Sequence, residues 1–232
     1  MGQRIESAVA LLREAAALAP AAFSTSFGAE DMVLLDLIQH HQLPIRIFTL
    51  DTGRLPEETH ALMERVEQAY GRCFTVYFPD AGAVQQLVAA DGVNGFYQSV
   101  AARKRCCSVR KVEPLARALA GQAAWVSGLR AGQSSERAAV AARAFDPTYR
   151  LEKFNPLHDW SESDVWDALR SRQIPYNELH DRFYPSIGCA PCTRAIAVGE
   201  DPRAGRWWWE NGEARECGLH TRSGIIAVRE LA

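Results

Sequence analysis

Short apolar segments alternate with stretches of helical period through most of the first 130 residues, and few architectures accept that alternation. Residues 21–26, 45–50, 74–78 and 123–127 read as strands. Residues 5–18, 31–40, 56–70, 83–90 and 108–120 read as helices, the first with Ile5, Val9, Leu12 and Ala16 on one stripe. Pro56 suits a first helical position. Strands and helices in turn predict an α/β fold, with a mostly parallel sheet and helices on both faces. A further helix over 161–172 has a clear start. Ser161 can cap it with Asp164 three residues on, and Trp160 and Val165 can form the apolar staple. Beyond Pro175 the pattern is irregular. The reading is therefore an α/β domain over 1–200 and an irregular, cysteine-bearing C-terminal segment over 201–232.

Composition excludes several classes. Apolar residues make up 47% and charged residues 23% of 232, an ordinary globular balance. No apolar run reaches the ~18 residues of a membrane span, and the start lacks the basic-then-apolar pattern of a signal segment. The expectation is a cytoplasmic chain without a membrane partner. The formal charge of −2 gives no general signature for nucleic acid. That average hides an asymmetry. Residues 1–100 carry 6 basic and 12 acidic side chains (net −6), and residues 101–232 carry 20 and 16 (net +4). Five of the six cysteines lie in the cationic part, which points to an anionic ligand near the thiols. A solvated basic surface would give the same count.

Three strand ends carry the chemistry of an anion site. Ser24-Thr25-Ser26-Phe27-Gly28-Ala29-Glu30-Asp31 runs from the first strand into a helix, where backbone N–H groups can converge on an anion. Glu30 and Asp31 suit the helix dipole but would repel an anion placed on them, so they read as capping or positioning groups. A plain turn and cap would look the same. The loop matches neither the P-loop nor the dinucleotide glycine fingerprint. Leu50-Asp51-Thr52-Gly53 ends the second strand, and Ser127-Gly128-Leu129-Arg130 ends a later one, followed by Gln133 and Arg137. Ligands of open α/β sheets bind beyond such carboxyl ends, and arginine suits phosphate or sulfate oxygens.

The cysteines Cys73, Cys106, Cys107, Cys189, Cys192 and Cys217 fall into a pattern. Reduced cytosolic thiols in such spacing point to metal or catalysis rather than disulfides. Cys106-Cys107 lies in a segment with five basic residues in nine, and Cys189-Ala190-Pro191-Cys192 supplies a second pair. Adjacent cysteines diverge and fit one tetrahedral zinc poorly. A [4Fe-4S] cluster lets neighbouring thiolates reach different irons. A redox-active vicinal disulfide is a third option, and it leaves the Cys-x-x-Cys unexplained. Lys111, one of only three lysines against 23 arginines, follows Cys107 by four residues on the same helical face and could meet both the cluster and an anion. Cys73 sits in an apolar segment and reads as a core thiol. Cys217, with Arg215 before it and His220 after it, could be a thiolate nucleophile or an inert tail cysteine. Arg203 and Arg206 precede Trp207-Trp208-Trp209, which read as packing anchors.

Taken together, the chain resembles the thioredoxin-dependent adenylyl-sulfate (APS) reductases. The likeness covers nearly all of it and rests on Ser26-Phe27-Gly28-Ala29-Glu30-Asp31, Cys106-Cys107 with Arg110-Lys111-Val112-Glu113-Pro114-Leu115, Cys189-Ala190-Pro191-Cys192 and Glu216-Cys217-Gly218-Leu219-His220. The resemblance implies an adenine-nucleotide α-hydrolase-like fold and a [4Fe-4S] cluster on Cys106, Cys107, Cys189 and Cys192. It implies Cys217 as nucleophile, an S-sulfocysteine intermediate and thioredoxin as partner and electron donor. It implies substrate contacts from Ser24, Ser26, Lys111, Arg130, Arg137, Arg203, Arg206 and His220, with Leu50 and Gly128 near the adenine. A homo-oligomer is compatible with this reading. Phe27 and the Glu30-Asp31 ending depart from the related ATP-cleaving loop, which argues against ATP cleavage. The competing readings are a reductase of the 3′-phosphorylated nucleotide (PAPS), dual use of both, and a non-catalytic iron–sulfur sensor.

Overall fold

A computed structural model describes residues 1–134 and 137–210; Cys217 and His220 lie outside the described residues. A six-stranded sheet forms the middle layer. Its strands are β1 Ala21–Thr25, β2 Ile45–Leu50, β3 Phe74–Tyr77, β4 Ala124–Val126, β5 Arg143–Asp146 and β6 Leu151–Phe154, in the order β3-β2-β1-β4-β6-β5. All pairs are parallel except β5 with β6. The helices are α1 Gly2–Ala17, α2 Ala29–His40, α3 Glu57–Tyr70, α4 Ala81–Asp91, α5 Val100–Cys107, α6 Glu113–Leu119 and α7 Glu162–Ser171. The predicted α/β class is observed.

Alternation along the strands fills both faces of the sheet. Phe23, Ile45, Ile47, Val126 and Phe154 join the side chains of α1, α2, α3 and α7 in the larger core. Ala22, Phe48, Trp125 and Leu151 point the other way and meet Leu115, Ala118 and Leu119 of α6. Nearly every residue from Ala29 to Ile38 is buried, so α2 is an inner helix covered by its neighbours. Helix α7 starts as expected: the Ser161 hydroxyl accepts from the Asp164 N–H, and the Asp164 carboxylate accepts from the Ser161 N–H.

Three expectations shift. Pro56 is the N-cap of α3 rather than its first helical residue, because the turn closes through the Thr59 N–H to the Pro56 carbonyl. The helix expected over 108–120 begins eight residues earlier. Ser99 caps α5 by accepting from the Ala102 N–H, and α5 continues through a π-helical turn, Ser108–Val112, into α6. Strands β5 and β6 add a sheet edge that the apolar pattern does not show. No helix among the described residues is long and apolar enough to cross a membrane.

Candidate functional site

The chain leaves β1 toward β2 and β3 on one side and returns to β4 and β6 on the other. The order reverses between β1 and β4, and a crevice opens there beyond the strand ends. It holds a cavity of about 270 Å³. Ser24, Thr25, Ser26 and Gly28 supply one wall, Leu50 and Thr52 a second, and Ser127, Gly128 and Arg130 a third. Lys111, Arg137, Arg203 and Arg206 add to the lining, so every substrate-contact residue that the resemblance implies within the described range lines one cavity.

The first loop is held from below. Phe27 takes a left-handed backbone (φ 57°), unusual for a side chain of its size. Its buried ring meets Phe74 edge-on at 5.2 Å, and its N–H donates to Thr25 Oγ1 at 3.0 Å. Asp31 is buried and accepts from both the Ser26 N–H (2.6 Å) and the Ser26 hydroxyl (2.8 Å). Burial pushes the Asp31 carboxyl up to about 6, although the Ser26 hydrogen bonds oppose the shift. The expected cradle is therefore modified. The Ser26 N–H serves Asp31 rather than an incoming anion, and Asp31 is the positioning group the sequence suggested. Gly128 packs so closely that a Cβ there would collide with the Asp31 carboxylate.

The arginines differ in their tasks. Arg130 is buried against Glu30, with Nε 2.7 Å from Oε1, so its charge is largely balanced. Arg137 donates to Gln133 Oε1 at 2.6 Å. Arg206 is buried over the Trp207 ring at 4.8 Å and donates to the Ile187 carbonyl, while its Nε finds no protein acceptor. A Cβ on Gly188 would strike that guanidinium, so glycine there lets the loop lie on Arg206.

A second, smaller cavity adjoins the first. It is lined by Cys106, Cys107, Cys189 and Cys192 together with Arg54, Phe96, Arg103, Arg110 and Lys111. None of the four forms a disulfide. Lys111 and Cys189 line both cavities. The π-helical turn lies between Cys107 and α6 and carries Arg110 and Lys111. Arg110 donates to the Thr52 carbonyl at 2.7 Å, and the Ala190 N–H donates to the Arg54 carbonyl at 2.8 Å, which ties β2's loop to the cysteine loop. Burial raises the Cys106 thiol, with Arg110 and Lys111 pulling it back. Burial pushes Cys192 up to about 12, with Cys189 adding to the rise. Among the described residues, no group of three or more His, Cys, Asp or Glu is arranged to hold a metal ion. Cys73 is half-buried against the large core, away from both cavities.

Some contributors carry no signal in the sequence. Arg103, 1% exposed, makes a paired ionic contact with Glu210 at 2.7 and 2.9 Å and lies under Trp207 at 4.5 Å. A span of 107 residues separates the partners. Trp207 is buried and Trp209 packs on Phe96 and Tyr97, as expected of anchors, whereas Trp208 is 48% exposed. His180 lines the larger of these two cavities with its Nε2 unpartnered and its pKa lowered by burial.

Comparison with known proteins gives a consistent picture. The profile of the phosphoadenosine phosphosulfate reductase domain matches residues 20–195. The chain is 62% identical to an adenosine 5′-phosphosulfate reductase of Allochromatium vinosum, over 86% of this chain and 78% of that one. It is 52% identical to the protein of the same name from Burkholderia cepacia, over 85% and 79%. Among solved structures, a phosphoadenylyl-sulfate reductase from Candida auris in a phosphate complex superposes with a TM-score of 0.69 at 26% identity, covering 79% of this chain and 88% of that one. An FMN adenylyltransferase of Candida glabrata with ATP shares the fold at 0.54 and 16% identity, covering 81% and 60%.

Proposed function

Because the chain belongs to the phosphoadenosine phosphosulfate reductase domain family, we propose that it is an oxidoreductase that reduces adenosine 5′-phosphosulfate to sulfite and AMP in sulfate assimilation. One observation carries the reading. The cavity at the sheet's switch point and the four-thiol cavity share a wall, made by Lys111 and Cys189. A nucleotide lying across the strand ends would present its sulfate toward Lys111, Arg203 and Arg206, and the base would lie by Leu50, Leu115 and Trp125.

Cys217 is the nucleophile in this reading, and it lies outside the described residues. Its thiolate attacks the sulfate sulfur. A sulfur–sulfur bond forms, the sulfur–oxygen bond to the phosphate breaks, and AMP leaves with the electron pair. A thioredoxin thiolate then attacks Cys217 Sγ and sulfite leaves with the pair from the sulfur–sulfur bond. The second thioredoxin thiol resolves the mixed disulfide. Thioredoxin thus supplies both electrons. Covalent catalysis splits one difficult displacement into two easier ones. The cations near the sulfate reduce the repulsion between two anions, an electrostatic role that strengthens as the cavity closes to water.

Cys106, Cys107, Cys189 and Cys192 would hold a [4Fe-4S] cluster. The donor set supports it: four mostly buried thiols outside any disulfide line one cavity among Arg103, Arg110 and Lys111. Burial makes Cys106 and Cys192 reluctant to ionise alone, which suits a site where iron supplies the compensating charge. A bound cluster would fix the loop bearing Cys189 and tune the field around Lys111.

Intact-mass analysis after adding adenosine 5′-phosphosulfate without thioredoxin tests the chemistry. One sulfo adduct on Cys217 is expected, removed by thioredoxin and missing in Cys217→Ser. An unmodified wild-type protein refutes the mechanism. Anaerobically purified protein should be brown and contain iron; a colourless zinc protein refutes the cluster.

A further inference from the structure

We propose that Lys153 is a positioning residue for the nucleoside, acting through Trp125 to set Ser24 as a hydrogen-bond donor into the cavity. The inference rests on the nucleotide reading above and adds a layer beneath it.

The chain has three lysines, and two of them, Lys104 and Lys111, flank the paired cysteines. The third sits inside the sheet. Lys153 on β6 is in register with Trp125 on β4, so both side chains leave the same face. Lys153 Nζ lies 4.0 Å from the centre of the Trp125 ring system. Both residues are buried, at 9% and 0% exposure. A leucine or methionine would fill this space without the cost of desolvating an ammonium group. The cation adds an electrostatic contact with the ring that an apolar side chain would lack.

What it faces is a hydrogen bond. Trp125 Nε1 donates to Ser24 Oγ at 2.8 Å. The indole nitrogen is a donor only, so the direction of this bond is fixed. Ser24 accepts on one lone pair and keeps its own proton for another acceptor. Ser24 and Trp125 both line the cavity, beside Leu50, Leu115 and Gly128. An ammonium on the indole face draws electron density from the ring and strengthens its N–H as a donor. Each bond in such a chain polarises the next. The outcome is a serine that presents a proton to an acceptor atom of the purine or ribose.

Charged and aromatic neighbours bear on Lys153. Asp146 of β5 favours its charge, Arg137 opposes it, and Tyr149 meets the Trp125 ring edge-on at 5.6 Å without adding charge. Burial pulls the Lys153 pKa down to about 8. The cation is then present at pH 7 and lost above pH 8, so nucleoside binding should weaken as pH rises.

The test measures AMP binding to the cluster-loaded protein by calorimetry between pH 7 and pH 9.5. Wild type should lose roughly three- to fivefold in affinity across that range, the scale of one cation–π contact. Lys153→Arg should match wild type at pH 7 and stay flat, because arginine does not titrate there. Lys153→Met should bind about as weakly at pH 7 as wild type does at pH 9.5. Ser24→Ala should be weak and flat, and the Ser24→Ala/Lys153→Met pair should lose no more than Ser24→Ala alone. A Lys153→Met protein that binds as tightly as wild type, additive losses in the pair, or a pH slope that survives in Lys153→Arg overturns the inference. A wild type that binds AMP without a pH slope overturns it while leaving the nucleotide reading intact. A wild type that does not bind AMP overturns both.

Discussion

Thr52 Oγ1 lies 3.2 Å from Cys189 Sγ, and both groups are buried. The same hydroxyl accepts from the Arg54 N–H at 3.2 Å. With that lone pair engaged and Cys189 ionised on iron, the hydroxyl would donate to the sulfur. Donors of this kind stabilise the extra charge of a reduced cluster. Thr52→Val keeps the shape and removes the donor. A more negative reduction potential in a spectroelectrochemical titration is expected, with iron content unchanged. An unshifted potential would show that the hydroxyl does not act on the sulfur's charge.

Removing one partner of the Arg103–Glu210 pair breaks a buried ionic contact made through two hydrogen bonds. For Glu210→Ala the expected loss is about 3–5 kcal/mol, read from urea unfolding of matched preparations. Arg103→Met with Glu210→Leu should recover much of it, because the pair's desolvation cost vanishes with both charges. A Glu210→Ala protein of wild-type stability would show that this contact does not hold the C-terminal segment.

Asp31 gives a pH signature. Its folded pKa, about 6, lies above the usual 3.8. The folded protein therefore holds the proton more tightly, and the stabilisation is complete below pH 3.8 and lost as pH rises through 6. A shift of this size corresponds to about 3 kcal/mol. Asp31→Asn can still accept from Ser26 but does not titrate. Its unfolding free energy, measured from pH 4 to pH 7, should lack the decline that wild type shows relative to it. Parallel curves for the two proteins would refute the assignment.

Gly188→Ala places a methyl group against the Arg206 guanidinium. Because that guanidinium is buried and faces the cavity, the shift should be felt in catalysis before stability. About a tenfold loss in kcat/KM is expected, the scale of one displaced charged hydrogen bond. Thermal unfolding within a few degrees of wild type would locate the effect in the site. Unchanged kinetics would mean that Arg206 does not need its present position.

Much of this molecule could be read from its residues, and the gaps have physical causes. Strands β1 to β4 are visible because apolar side chains dominate them. Strands β5 and β6 escape the pattern because Arg143, Asp146, Glu152 and Lys153 interrupt it, and β5 is an edge strand exposed along most of its length. Helix α5 escapes the pattern because its basic run, Arg103-Lys104-Arg105, shows no apolar stripe, although Ser99 three residues before Ala102 is a cap signal. The cysteine pairs and the cavity-lining residues are legible because spacing and residue type carry their chemistry. The pairings of Arg103 with Glu210 and Lys153 with Trp125 are not, since each partner is ordinary in its own segment and only the fold brings them together.

Glu210 fastens the last described residues to the helix that carries Cys106 and Cys107. Cys217 follows it by seven positions, at most roughly 25 Å of chain. The fastening works like the pivot of a compass. It sets the length of chain available to Cys217, the proposed nucleophile, and it places that pivot on the element that the proposed cluster would hold still. Damage to the thiols would then cost the enzyme more than a cofactor, because it would loosen the point from which the reacting sulfur is measured out.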